Sequence, residues 1–513
     1  MAKFNTTGIK TKKYTQDLVP NKAGGMGYET PNMVEFAGIA FTSFVKDQYY
    51  RGQNETINRL YELIEKVPVK FAAQVCWKTR HVYGLRSISH LIAARLASTG
   101  KLSGVSWAKK FLESIIVRPD DMIEILALLD GKPTHAMRKA FCNVMQGLNE
   151  YSLAKYAKFN NSGKGTINLN DIMRICHVPF TKGTNDPLEK LMYRTLKNTE
   201  TWEALGNSKE TWTKLLSDNK LGYLALIRNL RNIAKYDDKE LTQLTVEALE
   251  NKESILNAKI FPFQFLNAYN MLKKEQIQHY NSKSFNKIIN ALINACEISV
   301  SNIPNLKGDT VILVDQSGSM DSIKDTAHMF ACALAKASED AIAIAFAHTG
   351  EQKFLNDITE NNILNTTLKL SDEWFDGGTD FISAFQFLQK NNVKCDRLII
   401  ITDEQNWVEH GNYRNCYKNY LDWTKSQNID PDVWSIDLAS YGTTQFPYEK
   451  VSVLYGFSEK IFNIIGELEQ DKHAFITSID NIEFLTTKEL KNKNRISFEV
   501  ESDDEEVDPF EIN

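Results

Sequence analysis

The 513 residues are too many for one small core and, at 42% hydrophobic and 24% charged, have the composition of a soluble multidomain protein. No run approaches 18 apolar residues, the lysine-bearing N-terminus lacks the apolar core of a secretory signal, and seven scattered cysteines form no C-x-x-C pair. This excludes a membrane-spanning helix, a disulfide framework and a zinc ribbon, and the expectation is a cytoplasmic protein with reduced thiols. The net charge of −5 conceals two halves: residues 1–300 carry 42 Lys and Arg against 28 Asp and Glu, residues 301–513 carry 18 against 37. A basic half joined to an acidic half points to two modules with different partners, the basic one suited to a polyanion.

From about residue 30 to 300 the apolar residues recur at helical spacing. In NETINRLYELIEKV, Ile57, Leu60 and Ile64 form one stripe; VKFAAQVCWKTRH and SWAKKFLESIIV follow, with Pro68 at a helix start. RPDDMIEILALLDGKP opens on acids and closes on Gly131, the signals of a helix start and stop. HAMRKAFCNVMQGL, EKLMYRTLKN, ETWTKLLSD, LGYLALIRNLRNIAKY and FQFLNAYNMLKK continue the pattern, with one clear loop at NSGKGTINLND (161–171). So many short amphipathic helices predict a stacked helical array without a clean repeat period.

Near residue 300 the pattern changes. DTVILVDQ, AIAIAFAH, DRLIIITD and PDVWSIDLA are apolar runs rich in Ile, Val and Ala, separated by the helical stretches IKDTAHMFACALAKASE, TDFISAFQFLQKN and YRNCYKNYLDWTK. The alternation predicts a parallel sheet covered by helices on both faces. The last fifteen residues hold eight carboxylates and read as a solvated acidic tail.

In such a sheet, ligands sit beyond the carboxyl ends of the strands. VILVDQSGSM places Asp315, Ser317 and Ser319 there; FDGGTD supplies Thr379, and IIITDEQ supplies Asp403. Two carboxylates and three hydroxyls suit Mg2+, with Mn2+ as the alternative, because a hard cation needs about six oxygens. A helix cap would explain DQSGSM alone, but three separated oxygen-bearing elements exceed what capping needs. Asp376 and Glu404 read as neighbours of the site, either behind the ligands or in solvent. No paired base, nucleophile or P-loop ending accompanies the set, so binding and not catalysis is expected.

D-x-S-x-S, then G-G-T, then a strand ending T-D resembles the von Willebrand factor A domain and its metal-ion-dependent adhesion site. Preceded by a basic helical array, and with NKAGG, MRKAF, YAKFNNSGKGTINLNDIMRICHVPF, LIRNLRNIAK, FPFQFLNAY and GGTDFISAFQFLQ in that order, the chain resembles the TROVE family of Ro-type RNA-binding proteins, bacterial or phage type. The resemblance covers roughly residues 15–470. It implies a HEAT-like helical ring or solenoid over 1–300, a von Willebrand factor A-like, Rossmann-like doubly wound domain over 305–470 and a C-terminal extension with the acidic tail over 471–513. It also implies a non-enzymatic ribonucleoprotein that binds single-stranded 3′ ends of misfolded small RNAs, together with Y-like RNAs. It would act in surveillance or with an exoribonuclease such as polynucleotide phosphorylase, as a monomer away from membranes.

The residue chemistry is compatible, since cations neutralise phosphates and rings stack bases. Lys158 and His177 match RNA-contacting positions of the family, Lys164 lies in a loop about two residues longer than the family pattern, and Arg174 follows. Arg138, Lys139, Arg80 and Arg86 are further candidates, the last two clustered with His81 and His90. The competing reading of each is a solvated helix face, or a hydrogen-bonded structural histidine for His90 and His177; Tyr223 and Tyr269 read as core. The rival function is a protein scaffold whose metal site grips an acidic ligand.

Overall fold

The computed structural model describes residues 18–42, 52–157, 167–197, 205–276 apart from 259, 282–407 apart from 357, 416–455, 474–490 and 492. A short antiparallel pair, β1 (Leu18–Pro20) and β2 (Met26–Glu29), precedes α1 (Asn32–Thr42). Nine helices of the described residues follow: α2 (Gln53–Lys66), α3 (Val69–His81), α4 (Arg86–Ser98), α5 (Ala108–Ile115), α6 (Pro119–Leu128), α7 (His135–Gln146), α8 (Glu150–Ala157), α9 (Leu169–Cys176) and α10 (Pro187–Tyr193). Then come α11 (Lys209–Ser217), α12 (Tyr223–Ala234), α13 (Lys239–Leu249), α14 (Lys252–Asn257), α15 (Pro262–Gln276) and α16 (Lys283–Ser299). The alternating part comprises β3 (Leu306–Asp315), α17 (Lys324–Ala337), β4 (Ser338–Phe346), β5 (Gln352–Phe354), α18 (Ile363–Asp372), α19 (Phe381–Lys390), β6 (Arg397–Thr402), α20 (Cys416–Gln427), β7 (Asp432–Asp437), β8 (Thr443–Thr444) and β9 (Val451–Tyr455); α21 (Ala474–Asp480) follows. The fold class read from the sequence, a helical array followed by a doubly wound sheet, is the one observed.

Local chemistry explains the boundaries. Thr134, Asn168, Asp186, Ser208, Asp238 and Ser282 each accept a backbone N–H from the first turn of the helix they cap. Gly131 stands at φ +71° after α6, the left-handed conformation that ends a helix. The strands of the main sheet are apolar on both faces because helices cover both: Ile312, Leu313, Val314, Ile399, Ile400 and Ile401 are all fully buried.

Packing divides the chain into two compact units. One is drawn from residues 1–53 and 222–477 with the last two residues, the other from 54–221 and 478–511. The composition break near residue 300 is an element boundary but not a packing boundary, because α15 and α16 join the sheet-bearing unit. The Phe263 and Phe330 rings lie 4.4 Å apart, and Lys336 of α17 pairs with Glu297 of α16. The N-terminal residues belong there too: β2 pairs with β8 to complete a three-stranded sheet.

In the second unit, residues 478–490 lie against α3 and α5. Phe484 packs on Trp107 and Phe111 with centroids 5.1 and 5.3 Å away, and Gln74 and Trp77 donate to backbone carbonyls of residues 480–485. Among the described residues, no helix is long and apolar enough to cross a membrane.

Candidate functional site

The six-stranded sheet has the order β5-β4-β3-β6-β7-β9, with β5 alone antiparallel. From β3 the chain first crosses to β4 on one side and later returns to β6 on the other. The loops leaving β3 and β6 therefore diverge and open a crevice at the carboxyl ends of two adjacent central strands. Asp315 ends β3 and Asp403 follows the last residue of β6, so register alone brings the two carboxylates together.

Both are buried, as are Ser317, Ser319 and Thr379. Asp315 accepts from the Ser317 backbone N–H at 3.0 Å and the Thr402 hydroxyl at 2.7 Å; the Ser317 and Ser319 hydroxyls are 3.3 Å apart. Asp403 accepts from the Gln405 backbone at 3.1 Å. The 375–380 loop is drawn in from a third direction: Gly318 N–H donates to the Gly377 carbonyl at 2.8 Å, and Trp407 N–H to the Thr379 carbonyl at 2.9 Å. A Cβ at Gly318 would come within 2.7 Å of the Asp376 carboxylate, so a larger residue would have to displace that side chain. The structure thus gathers the five oxygen-bearing residues of the sequence motif around one crevice.

Two observations test whether these residues fit a hard cation. Asp403 Oδ2 is buried and accepts no hydrogen bond among the described residues. Burial pushes both carboxylates above their ordinary range, and the charge of Asp315 raises Asp403 further. Two desolvated carboxylates side by side, one with an orphaned oxygen, and three hydroxyls make a donor set that a divalent cation would satisfy. Among the described residues no group of three or more His, Cys, Asp or Glu is placed to hold a metal ion.

Gln316 and Trp407 were not legible as neighbours of the site; Glu404 was, and of its two readings the one behind the ligands holds. Glu404 is no solvent group: it is fully buried at φ +61°, accepts from Gln445 N–H at 2.7 Å and from the Ser435 hydroxyl, and is raised to about 8 by burial and by Asp437. Gln316 is buried and meets His328 Nε2 at 2.8 Å; burial lowers that imidazole to about 3, so it stays neutral. Trp407, 42% exposed, stands at the rim beside His348. Their signals were hidden because burial of a polar side chain is decided by which loops converge, not by its own sequence neighbours. Asp376 is exposed, as one of the two readings held.

The second unit carries a separate cationic face. Arg138 and Lys139 on α7 are both exposed, as are Arg174 on α9 and His177, which ends α9 at φ +54°. α7 and α9 are joined by the Cys142 thiol, which donates to the Cys176 carbonyl at 3.2 Å, and the Arg138 charge acts on the Cys176 thiol. Exposed Tyr193, its ring edge-on to Phe180 at 6.5 Å, and exposed Arg194 follow at the end of α10, which packs on α8 and α9. EKLMYRTLKN had shown the tyrosine beside the arginine, but its helical pattern alone did not mark the ring as exposed. Lys158 and Lys164 lie outside the described residues.

Arg80 and Arg86 are corrected. Arg80 is 7% exposed and pairs with Asp121 at 2.7 Å; Arg86 pairs with Asp120, Asp121 and Glu124 at 2.8–3.0 Å. Their charges are matched by the carboxylates of α6, with Arg80 buried on α3 and Arg86 half-buried at the start of α4. His90 is buried between Asp121 and Glu124, and His81 meets the Ser114 carbonyl at 2.7 Å. Tyr223 and Tyr269 are core residues.

The crystal structure of the Deinococcus radiodurans Ro (Rsr) protein superposes with a TM-score of 0.55, covering 85% of this chain and all of that one, at 14% identity, so the likeness is one of fold. Telomerase protein component 1 of Mus musculus and of Rattus norvegicus is 32% identical over 88 residues, which is 16% of this chain. The match spans about 3% of the length of those relatives. The TROVE domain model matches residues 190–348, from the end of α10 through β4. The chain therefore carries a TROVE domain.

Proposed function

We propose that this protein binds non-coding RNA through the exposed cationic and aromatic face of α7, α9 and α10, and holds a divalent cation at a von Willebrand factor A-type site at the end of β3 and β6. The observation that carries the reading is the pairing of a TROVE domain with Arg138, Lys139, Arg174 and His177 exposed on two helices in contact. Guanidinium and ammonium groups neutralise phosphates, and Tyr193 offers a ring on which an unpaired base can stack. RNAs with single-stranded 3′ ends and Y-like RNAs are the proposed ligands, and surveillance or service as an exoribonuclease adaptor the proposed role.

At the metal site Asp315, Ser317, Ser319, Thr379 and Asp403 would hold Mg2+ or Mn2+, some of them through water. Such a cation supplies an electrophilic point that takes an acidic group from a partner. The two carboxylates can balance the cation's charge but not exceed it, and the three hydroxyls add none, so a further acidic ligand is not repelled by a surplus of negative charge. Trp407, exposed close to the buried donor set, also favours the second reading, a metal-dependent grip on an acidic protein ligand.

The test is a salt titration of binding to a short RNA duplex with a 3′ overhang and to the same duplex blunt-ended. A steep salt dependence and preference for the overhang support the reading. Negligible binding at low salt refutes it and favours the scaffold.

A further inference from the structure

The glycine-rich N-terminal stretch NKAGG has no part in the function described so far. It forms the turn between β1 and β2, and that turn is tied to the loop that follows Asp403. Asn21 closes the turn on itself: its Oδ1 accepts from the N–H groups of Ala23 at 3.1 Å and Gly25 at 2.9 Å, and its own N–H donates to the Gly25 carbonyl at 2.9 Å. The same side chain then donates from Nδ2 to the Asn406 carbonyl at 2.7 Å, across 385 positions of sequence. Lys22 N–H donates to Gln405 Oε1 at 2.8 Å. Gly25 lies so close that a Cβ would overlap the Asn406 carbonyl oxygen.

Residues 405–407 are in turn bonded to the candidate ligands. Gln405 N–H donates to Asp403 Oδ1, leaving Oδ2 without a partner among the described residues. Trp407 N–H donates to the Thr379 carbonyl, and Phe381 N–H to Asn406 Oδ1 at 3.3 Å. A shift of Asn406 would therefore rotate the Asp403 carboxylate and move the Thr379 loop together.

We propose that the turn at residues 21–25 is a positioning element of the metal site: by holding Gln405 and Asn406 it sets the donor geometry of Asp403 and Thr379. The proposal rests on the reading of the β3–β6 crevice as a cation site. Groups that orient ligands without binding the metal commonly carry about 10–100-fold of its affinity. The turn belongs to the same compact unit as the site, so its effect needs no change between units.

The experiment uses the full chain, with Mn2+ affinity measured by calorimetry and the number of bound waters read from Tb3+ luminescence lifetimes in H2O and D2O. Variants are Asn21→Ala, Gly25→Ala, Gly24→Ala and Asp315→Ala, each checked for folding by circular dichroism. Gly24 is the control: it stands at φ +86° with nothing near its Cβ position, so alanine strains the turn without pushing on Asn406. The expected result is cation binding that Asp315→Ala abolishes and that Asn21→Ala and Gly25→Ala weaken about 10-fold or more with extra bound water, while Gly24→Ala stays near wild type. Wild-type affinity and hydration in Asn21→Ala and Gly25→Ala would overturn the positioning role and leave the metal site standing. Equal loss in Gly24→Ala and Gly25→Ala would overturn it in favour of general hairpin stability. Binding indifferent to Asp315→Ala would remove the metal site, and this inference with it.

Discussion

Replacing Asp121 by alanine tests whether the Arg80–Arg86–His90 cluster is structural. The carboxylate is fully buried and accepts from Arg80 at 2.7 Å, from Arg86 at 2.9 Å and from the backbone N–H groups of Val117 at 3.0 Å and Arg118 at 2.9 Å. Burial alone would raise its pKa, but His90 and Arg80 hold it below the ordinary range. Its removal leaves a buried guanidinium without its counter-charge, which costs about 3–5 kcal/mol. Loss of the cap at the start of α6 adds about 1 kcal/mol. In a unit of this size that corresponds to a fall of about 10 °C or more in melting temperature.

The assay is thermal melting with amide exchange followed over residues 69–128, beside RNA affinity at a temperature where the variant is folded. The expected outcome is strong destabilisation with RNA affinity unchanged. The pH dependence supplies a second reading. Burial depresses His90, but Asp121 and Glu124 overcome it and raise its pKa above 6.5. Its stabilisation is therefore fully present below about pH 6.5 and lost as pH rises through the raised folded value. The stability difference between wild type and His90→Gln should shrink across that window. A melting temperature within 2 °C or so of wild type, or RNA affinity that falls with Asp121→Ala, would refute the structural assignment.

Arg138→Ala combined with Arg174→Ala should weaken single-stranded RNA binding at low salt and reduce the salt slope by about 1.5, read from fluorescence anisotropy across salt concentrations. Tyr193→Ala should cost about 1–3 kcal/mol of RNA affinity at every salt concentration, because stacking is not screened, and an unchanged Kd would take the ring out of the interface. Phe484→Ala should destabilise by about 3–5 kcal/mol the unit that its ring seals against Trp107 and Phe111, seen as faster amide exchange in α3 and α5. Asp315 and Asp403, both raised by burial, bind protons more tightly folded than unfolded. Without cation the stability therefore falls as pH rises above about 4, and Mn2+ should raise the melting temperature more at pH 8 than at pH 5. An Mn2+ shift independent of pH would contradict the paired-carboxylate site.

Much of the architecture was legible because it rests on local rules. Helical periodicity located α2, α3, α5, α6 and α7 to within a few residues, and the apolar runs before Asp315 and Asp403 marked central strands buried on both faces. Spacing placed Asp315, Ser317, Ser319 and Asp403 just past strand ends, where sheet register brings the two carboxylates together, and Thr379 on the loop before α19. The N-terminal pair β1 and β2, three and four residues long, was not legible, because β2 is ordered by a partner 416 positions away in sequence, as Tyr28 opposite Thr444 shows.

For charged side chains the sequence determined only that cations were abundant in the first 300 residues, not which way they faced. Arg80 and Arg138 both sit on amphipathic helices, yet one is buried against Asp121 and the other is exposed. Which face a helix turns inward depends on the neighbour that covers it. A buried guanidinium survives only where tertiary packing brings a carboxylate to it. The same holds for Glu404, whose burial is set by Ser435 of β7 and by Gln445 just after β8, and not by the strand it follows. Local propensity and period thus determined the elements and the ends of the strands, while desolvation, decided only when distant elements converge, separated the charges that hold the fold from those left to meet a ligand.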